Sequence, residues 1–169
     1  MIYPIVKFGD PVLETPAATV TSFDEELRKL VEDMFESMYA AHGVGLAAPQ
    51  IGISKRIAVI DVTFKEDPQA KIVLVNPEIV HTEGRQTSTE GCLSLPEFRE
   101  KVTRPFRVTV RAQNVQGDTV EVTGEELLGR ALLHETDHLN GKLYINHISA
   151  LKRDLIKRKV RKLIKVGEW

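Results

Sequence analysis

The chain has 169 residues, 42% of them hydrophobic and 28% charged, with one cysteine and a formal net charge of -1. That composition suits one globular domain able to bury most of its apolar surface, and a lone cysteine excludes an internal disulfide framework. No run approaches the roughly 18 apolar residues that span a bilayer, and MIYPIVKFGDPVLE lacks the pattern of a leader or transit peptide, so a cytoplasmic protein with no membrane role is expected.

FDEELRKLVEDMFESMYAAHG sets Leu27, Leu30, Val31, Met34, Met38 and Tyr39 near helical spacing. It predicts a helix capped by Ser22 or Asp24 and stopped at Gly43. GVGLAAPQ follows. Its two glycines leave backbone that a second chain could pair with along an edge, and Gln50 offers an amide donor suited to a developing oxyanion. Alone, such a stretch more often serves close packing. The Val- and Ile-rich runs RIAVIDV and KIVLVNPEIV read as strands, and FRVTVRAQN and DTVEVTG, separated by VQG, read as a hairpin around Gly117. Between them EGCLSLP, with Cys92, is too irregular for the interior of a regular strand. From Glu125 the pattern turns helical again in EELLGRALLHETDHLN, with Thr123 as the expected cap and Gly141 as the stop. The final segment, 149–166, reads as a helix with Ile156, Val160, Leu163 and Ile164 on one face. Its other faces carry Lys152, Arg153, Lys157, Arg158, Lys159, Arg161, Lys162 and Lys165, so an acidic body bears a basic tail. With no repeat, linker or low-complexity tract, the expectation is a single catalytic domain over 1–169, an α+β fold of mixed and antiparallel sheets with N-terminal and C-terminal helices.

HETDH is the strongest chemical signal. Four residues are close to one helical turn, so His134 and His138 project the same way and suit one divalent metal. Glu135 projects about 100° round the helix, beside such a metal and free to take a proton from water. A catalytic site of this kind needs a third ligand and an open position. A metzincin would continue to a third histidine, but Tyr144 stands there and no methionine follows Met38. His147 is near, but a surface or satisfied histidine is the better reading. Cys92, the only thiol, would complete a His2Cys centre. As a nucleophile it would leave Glu135 and one histidine without a role.

GVGLAAPQ, EGCLSLP and HETDHLNG, in this order and spacing, closely resemble the three signature motifs of the peptide deformylases. The resemblance implies sheets that surround the helix bearing HETDH. It implies a metallohydrolase that takes the formyl group from the N-terminal formyl-methionine of new polypeptides and releases formate. It further implies that Cys92, His134 and His138 bind the metal, usually Fe2+, with Ni2+, Co2+ or Zn2+ able to substitute. By the same resemblance a water on that metal would attack the formyl carbon with Glu135 as general base and acid, while Gln50 and the Leu93 N–H would meet the oxyanion. Substrate would contact Gly43, Val44, Gly45, Gly91, Leu127 and Ala131, with Arg99 at the pocket's edge. N-formylmethionyl peptides are the implied partners, and a monomer is expected, with the basic helix as a point of attraction to the ribosome. Arg130 stands where the family more often has an apolar residue, Asn146 replaces a common aspartate, and Glu97 a common glycine. Those departures bear on fine specificity. The rival readings are a hydrolase for another N-acyl peptide and a metal-binding module without catalysis.

Overall fold

Three α-helices and seven strands follow one another along residues 1–169 of the computed structural model. The order is α1 (Glu25–Ala40), β1 (Gly45–Ala47), β2 (Ile57–Ile60), β3 (Ile72–Glu83), β4 (Gln86–Cys92), β5 (Leu95–Arg104), β6 (Arg107–Gln113), β7 (Thr119–Glu125), α2 (Glu126–Leu139) and α3 (Ala150–Lys165). Five strands form an antiparallel sheet in the order β1-β2-β3-β6-β7, and β4 pairs only with β5 in a second, two-stranded sheet. The α+β class expected from the sequence is the one observed.

The uninterrupted apolar run of β2 is explained by cover on both faces. Ala58 and Ile60 point to α2 and pack with Ala131, Leu132 and Leu139, while Ile57 and Val59 point to α1 and pack with Val31, Met34 and Met38. A third cluster joins Leu95 and Val102 of the small sheet to Tyr144, Ile145, Ile156 and Val160. The hairpin between β6 and β7 turns at Gly117, whose φ of +87° suits glycine.

The helix ends differ in part from expectation. Asp24 rather than Ser22 caps α1, its carboxylate accepting from Leu27 N–H at 3.1 Å. At the far end the left-handed residue is His42 (φ 59°), not Gly43. His42 N–H donates to Tyr39 O and Gly43 N–H to Met38 O, both at 3.0 Å, which closes the helix carbonyls. Gly43 is small for another reason: a Cβ there would lie 2.8 Å from Leu93 Cδ1. Thr123 does not cap α2. It lies in β7 opposite Thr109, hydroxyl to hydroxyl at 2.9 Å, and the strand runs straight into the helix. The change of direction is made at Glu126, with φ of +52° and its N–H donating to Phe106 O at 3.2 Å. Gly141 closes α2 as expected, at φ 76°, donating to His138 O at 3.1 Å while Lys142 N–H donates to Asp137 O at 2.9 Å.

The helix sits close on the sheet because Gly129 has no side chain. A Cβ there would lie 2.8 Å from Phe106 O and 3.0 Å from Gly124 O. Both neighbours are backbone and cannot swing aside. Gly129→Ala should gain about 1 kcal/mol of helix propensity and lose about 1–3 kcal/mol to overpacking. A net loss of stability, read as a lower urea midpoint, is expected; a higher midpoint would mean that the helix can lift at no cost.

α3 is one residue shorter at each end than 149–166, with Ser149 as its cap, accepting from Lys152 N–H at 3.2 Å. Ile156 and Val160 are buried and Leu163 is half-buried, but Ile164 is 51% exposed and lies off the packed face. No helix is long and apolar enough to cross a membrane.

Candidate metal centre

α2 fixes the two imidazoles first. His138 Nε2 lies 3.2 Å from His134 Nε2 and 3.3 Å from the Sγ of Cys92, the last residue of β4. All three donor atoms lie within 4.8 Å of one another. A tetrahedral ion with bonds of about 2.1 Å to nitrogen and about 2.3 Å to sulfur separates N from N by roughly 3.4 Å and N from S by roughly 3.6 Å. The two separations made by His138 are therefore close to those that one such ion would set.

The surroundings orient the donors. Glu90 Oε1 lies 3.0 Å from His134 Nδ1, which leaves Nε2 as the atom that faces the cluster. Arg104 in turn grips Glu90 through Nε at 2.6 Å and Nη2 at 3.1 Å, and reaches Asp137 Oδ2 through Nη1 at 3.0 Å. His147 Nε2 lies 2.8 Å from the same Asp137 oxygen. It is a satisfied histidine at the outer end of a charge network, away from the ligand cluster. Burial opposes ionisation of Glu90, but hydrogen bonds from His134 and Arg104 outweigh it and hold the carboxyl below its ordinary value.

The cluster's electrostatics favour a positive charge beside the sulfur. Burial pushes the Cys92 thiol up, yet the attraction of His138 and the hydrogen bonds of both imidazoles bring it down to about 5. Burial likewise lowers the His134 imidazole, but bonds to Cys92 and Glu90 carry it well above its ordinary value. Both shifts describe a thiolate that wants a cation, as a proton or as a metal.

Glu135 is 4% exposed, and its Oε1 is buried without a hydrogen-bond partner. Burial raises its carboxyl above the ordinary range, against the two neighbouring imidazoles, which lower it. β1 forms its wall. A Cβ on Gly45 would lie 2.5 Å from Glu135 Oε2 and 2.8 Å from Cδ, so the carboxylate rests against bare backbone. Gly45→Ala should displace the carboxylate and lower kcat by roughly a hundredfold, the scale of an ångström's misplacement at a reacting group. Unchanged kcat with unchanged metal content would show that the displaced carboxylate has no part in turnover.

Gln50 stands opposite. Its Oε1 accepts from Ala47 N–H at 3.0 Å, which turns Nε2 toward Ser94 Oγ at 3.2 Å and Cys92 Sγ at 3.6 Å. A cavity of about 510 Å³ opens from this point, lined by Gly43, Val44, Gly45, Gln50, Gly91, Cys92, Leu93, Arg99, Leu127, Ala131, His134 and Glu135 among others. Every residue expected from the sequence to bind metal, act in catalysis or touch substrate thus borders it except His138, which is fully buried behind the other two donors. Arg99 packs over Gly91, where a Cβ would lie 3.5 Å from its Cγ and Cζ.

Glu90, Arg104, Asp137 and Ser94 were not singled out, nor was Tyr144, whose ring stacks on His134 with centroids 6.3 Å apart. Glu90 and Ser94 lie in EGCLSLP, two residues either side of Cys92, and Asp137 lies in HETDH, so their places in the motifs were the signal available. Two departures from the family pattern acquire a local explanation. Glu97 occupies φ 71°, the left-handed region that favours glycine, and Asn146 Oδ1 accepts from Leu143 N–H at 2.9 Å, as an aspartate could.

A family model described as Polypeptide deformylase matches residues 2–154. The chain is 66% identical over 169 residues to the peptide deformylase of Acidobacterium capsulatum, covering 100% of this chain and 99% of that protein. It is 46% identical over 160 residues to that of Thermodesulfovibrio yellowstonii, covering 95% and 97%. The crystal structure of a peptide deformylase from Legionella pneumophila superposes with a TM-score of 0.90 at 46% identity, covering 99% of this chain and 98% of that one.

Proposed function

The chain belongs to the polypeptide deformylase family, and we infer from this that it is a metal-dependent hydrolase that removes the N-formyl group from newly made polypeptides. One observation carries the reading to particular residues: a thiol from β4 and two imidazoles from α2 face a common point, beside a buried carboxylate, at the inner end of an open cavity.

Cys92 Sγ, His134 Nε2 and His138 Nε2 would hold the ion. We propose Fe2+, one per chain, with Ni2+, Co2+ or Zn2+ able to replace it, because a thiolate with two imidazoles accepts all four. When bound, it would polarise the formyl carbonyl and acidify a water molecule. Glu135 would take the proton of the attacking water and return it to the departing amine; the lack of any hydrogen-bond partner at Oε1 supports that duty. Gln50 Nε2 and the Leu93 N–H would donate to the formyl oxygen as charge develops there. β1 pairs with β2 alone, so the edge at Val44 and Gly45 is available for an incoming peptide to extend the sheet, with Gly43 and Gly91 giving it room. The side chain of its first residue would run along α2 past Ala131 and Leu127, with Arg99 at the rim.

The remaining proposals concern setting. We read 1–169 as one catalytic unit and a monomer, working in the cytoplasm, with the cationic faces of α3 drawing it to ribosomal RNA or protein.

The test compares formate release from formyl-Met-Ala-Ser with acid release from acetyl-Met-Ala-Ser, using anaerobically purified protein whose metal has been measured. Formyl cleavage with little acetyl cleavage is expected. Equal turnover of both would identify a general N-acyl hydrolase, and no turnover at full metal content would leave a binding module.

A further inference from the structure

The cavity beside His134 holds a charge, on Arg130, that no step above employs. Arg130 stands one turn before His134 on α2, next to Ala131 on the cavity wall, with its side chain 14% exposed. A guanidinium carries five N–H donors and accepts nothing. Nη2 donates to Gln86 Oε1 at 2.7 Å. Nε is buried without an acceptor, because Glu90 Oε2 lies 3.8 Å away, beyond hydrogen-bond reach. Glu90 is gripped by Arg104 and His134, so it meets Arg130 as an ion pair at that longer distance and not as a hydrogen-bond acceptor. Arg130 is thus a largely desolvated cation whose donors are incompletely met, on the wall along which the substrate's first side chain runs.

We propose that Arg130 determines specificity by supplying a hydrogen-bond donor to that side chain, so that the pocket takes formyl-methionine sulfoxide as well as formyl-methionine. The inference rests on the deformylase reading above. A thioether is a weak acceptor and asks little of the pocket. Oxidation of the sulfur makes the same side chain polar at the same length. In a wholly apolar pocket the sulfoxide oxygen would be stripped of water and left unpaired. A guanidinium N–H beside it restores the bond, and a charged donor makes that bond a strong one. The same cation gives an apolar side chain no such contact, so norleucine, which lacks any acceptor, is the reference.

The experiment measures kcat/KM for formate release from formyl-Met(O)-Ala-Ser and formyl-norleucyl-Ala-Ser. The unsubstituted enzyme should cleave the two within about tenfold of each other, and in Arg130→Met the sulfoxide-to-norleucine ratio should fall by about tenfold or more. Arg130→Lys keeps a donor and should hold an intermediate ratio. An unchanged ratio in Arg130→Met overturns the proposal. If that variant fails to fold, the parent decides: a sulfoxide peptide cleaved more than roughly a hundredfold more slowly than the norleucine peptide overturns it as well. Formyl-Met-Ala-Ser is run alongside. No formate from any of the three removes the deformylase reading, whereas cleavage with an indifferent ratio removes only the role of Arg130.

Discussion

Glu135→Gln should bind metal as the parent does and lose about 10²–10⁴-fold in kcat, the range for removal of a general base. The substitution is nearly isosteric, which matters here because Gly45 leaves no slack on one side of the carboxylate and burial encloses the rest. The amide cannot accept a proton from water, yet it fills the same space and leaves His134 and His138 where they are. Loss of kcat with KM and metal content held would isolate proton transfer from binding. Turnover near that of the parent, in folded and metal-loaded protein, would take Glu135 out of the reaction. Gly45→Ala offers an independent approach to the same carboxylate, by displacing it instead of neutralising it.

Cys92→Ala is expected to abolish activity by a different route, through loss of the ion. Two imidazoles would remain, without the thiolate whose charge the cluster is arranged to balance. Metal content after dialysis should fall from about one per chain to a small fraction of that. Thermal unfolding gives a readout that does not depend on turnover. A site filled at a thousand times its dissociation constant stabilises the fold by about 4 kcal/mol, so a chelator should lower the melting temperature of the parent and leave that of Cys92→Ala where it was. Equal metal content in the two proteins would return Cys92 to the status of a small packing residue.

The parts of this molecule that the sequence displays are those whose chemistry lies within one element. HETDH is legible because the histidine spacing matches a helical turn. α1, β2, β3 and the β6–β7 hairpin are legible because their apolar period answers to cover on one or both faces. The β4–β5 sheet is not. Gln86, Thr87, Ser88 and Thr89 offer no apolar alternation, and the inner face of β5 carries Arg104 beside Val102, since this sheet is held to α2 partly by ions. Glu90, Arg104, Asp137 and His147 come from separate stretches of chain, and although Glu90 and Asp137 lie inside the motifs, nothing local shows that the four meet in one network. Thr123 and Gly43 misled for a related reason. Each is the usual residue for a helix boundary, but α2 has no loop before it, and His42 takes the left-handed position at the end of α1.

The three proposed ligands come from two separately hydrogen-bonded sheets. Cys92 ends the two-stranded one, while the helix carrying His134 and His138 lies on the five-stranded one. An ion there would act as a rivet through the seam between them. Glu90 to His134 and Arg104 to Asp137 cross the same seam as ordinary side-chain bonds. The cavity floor is therefore itself a joint, so a change at any one of these residues is felt by both sheets at once.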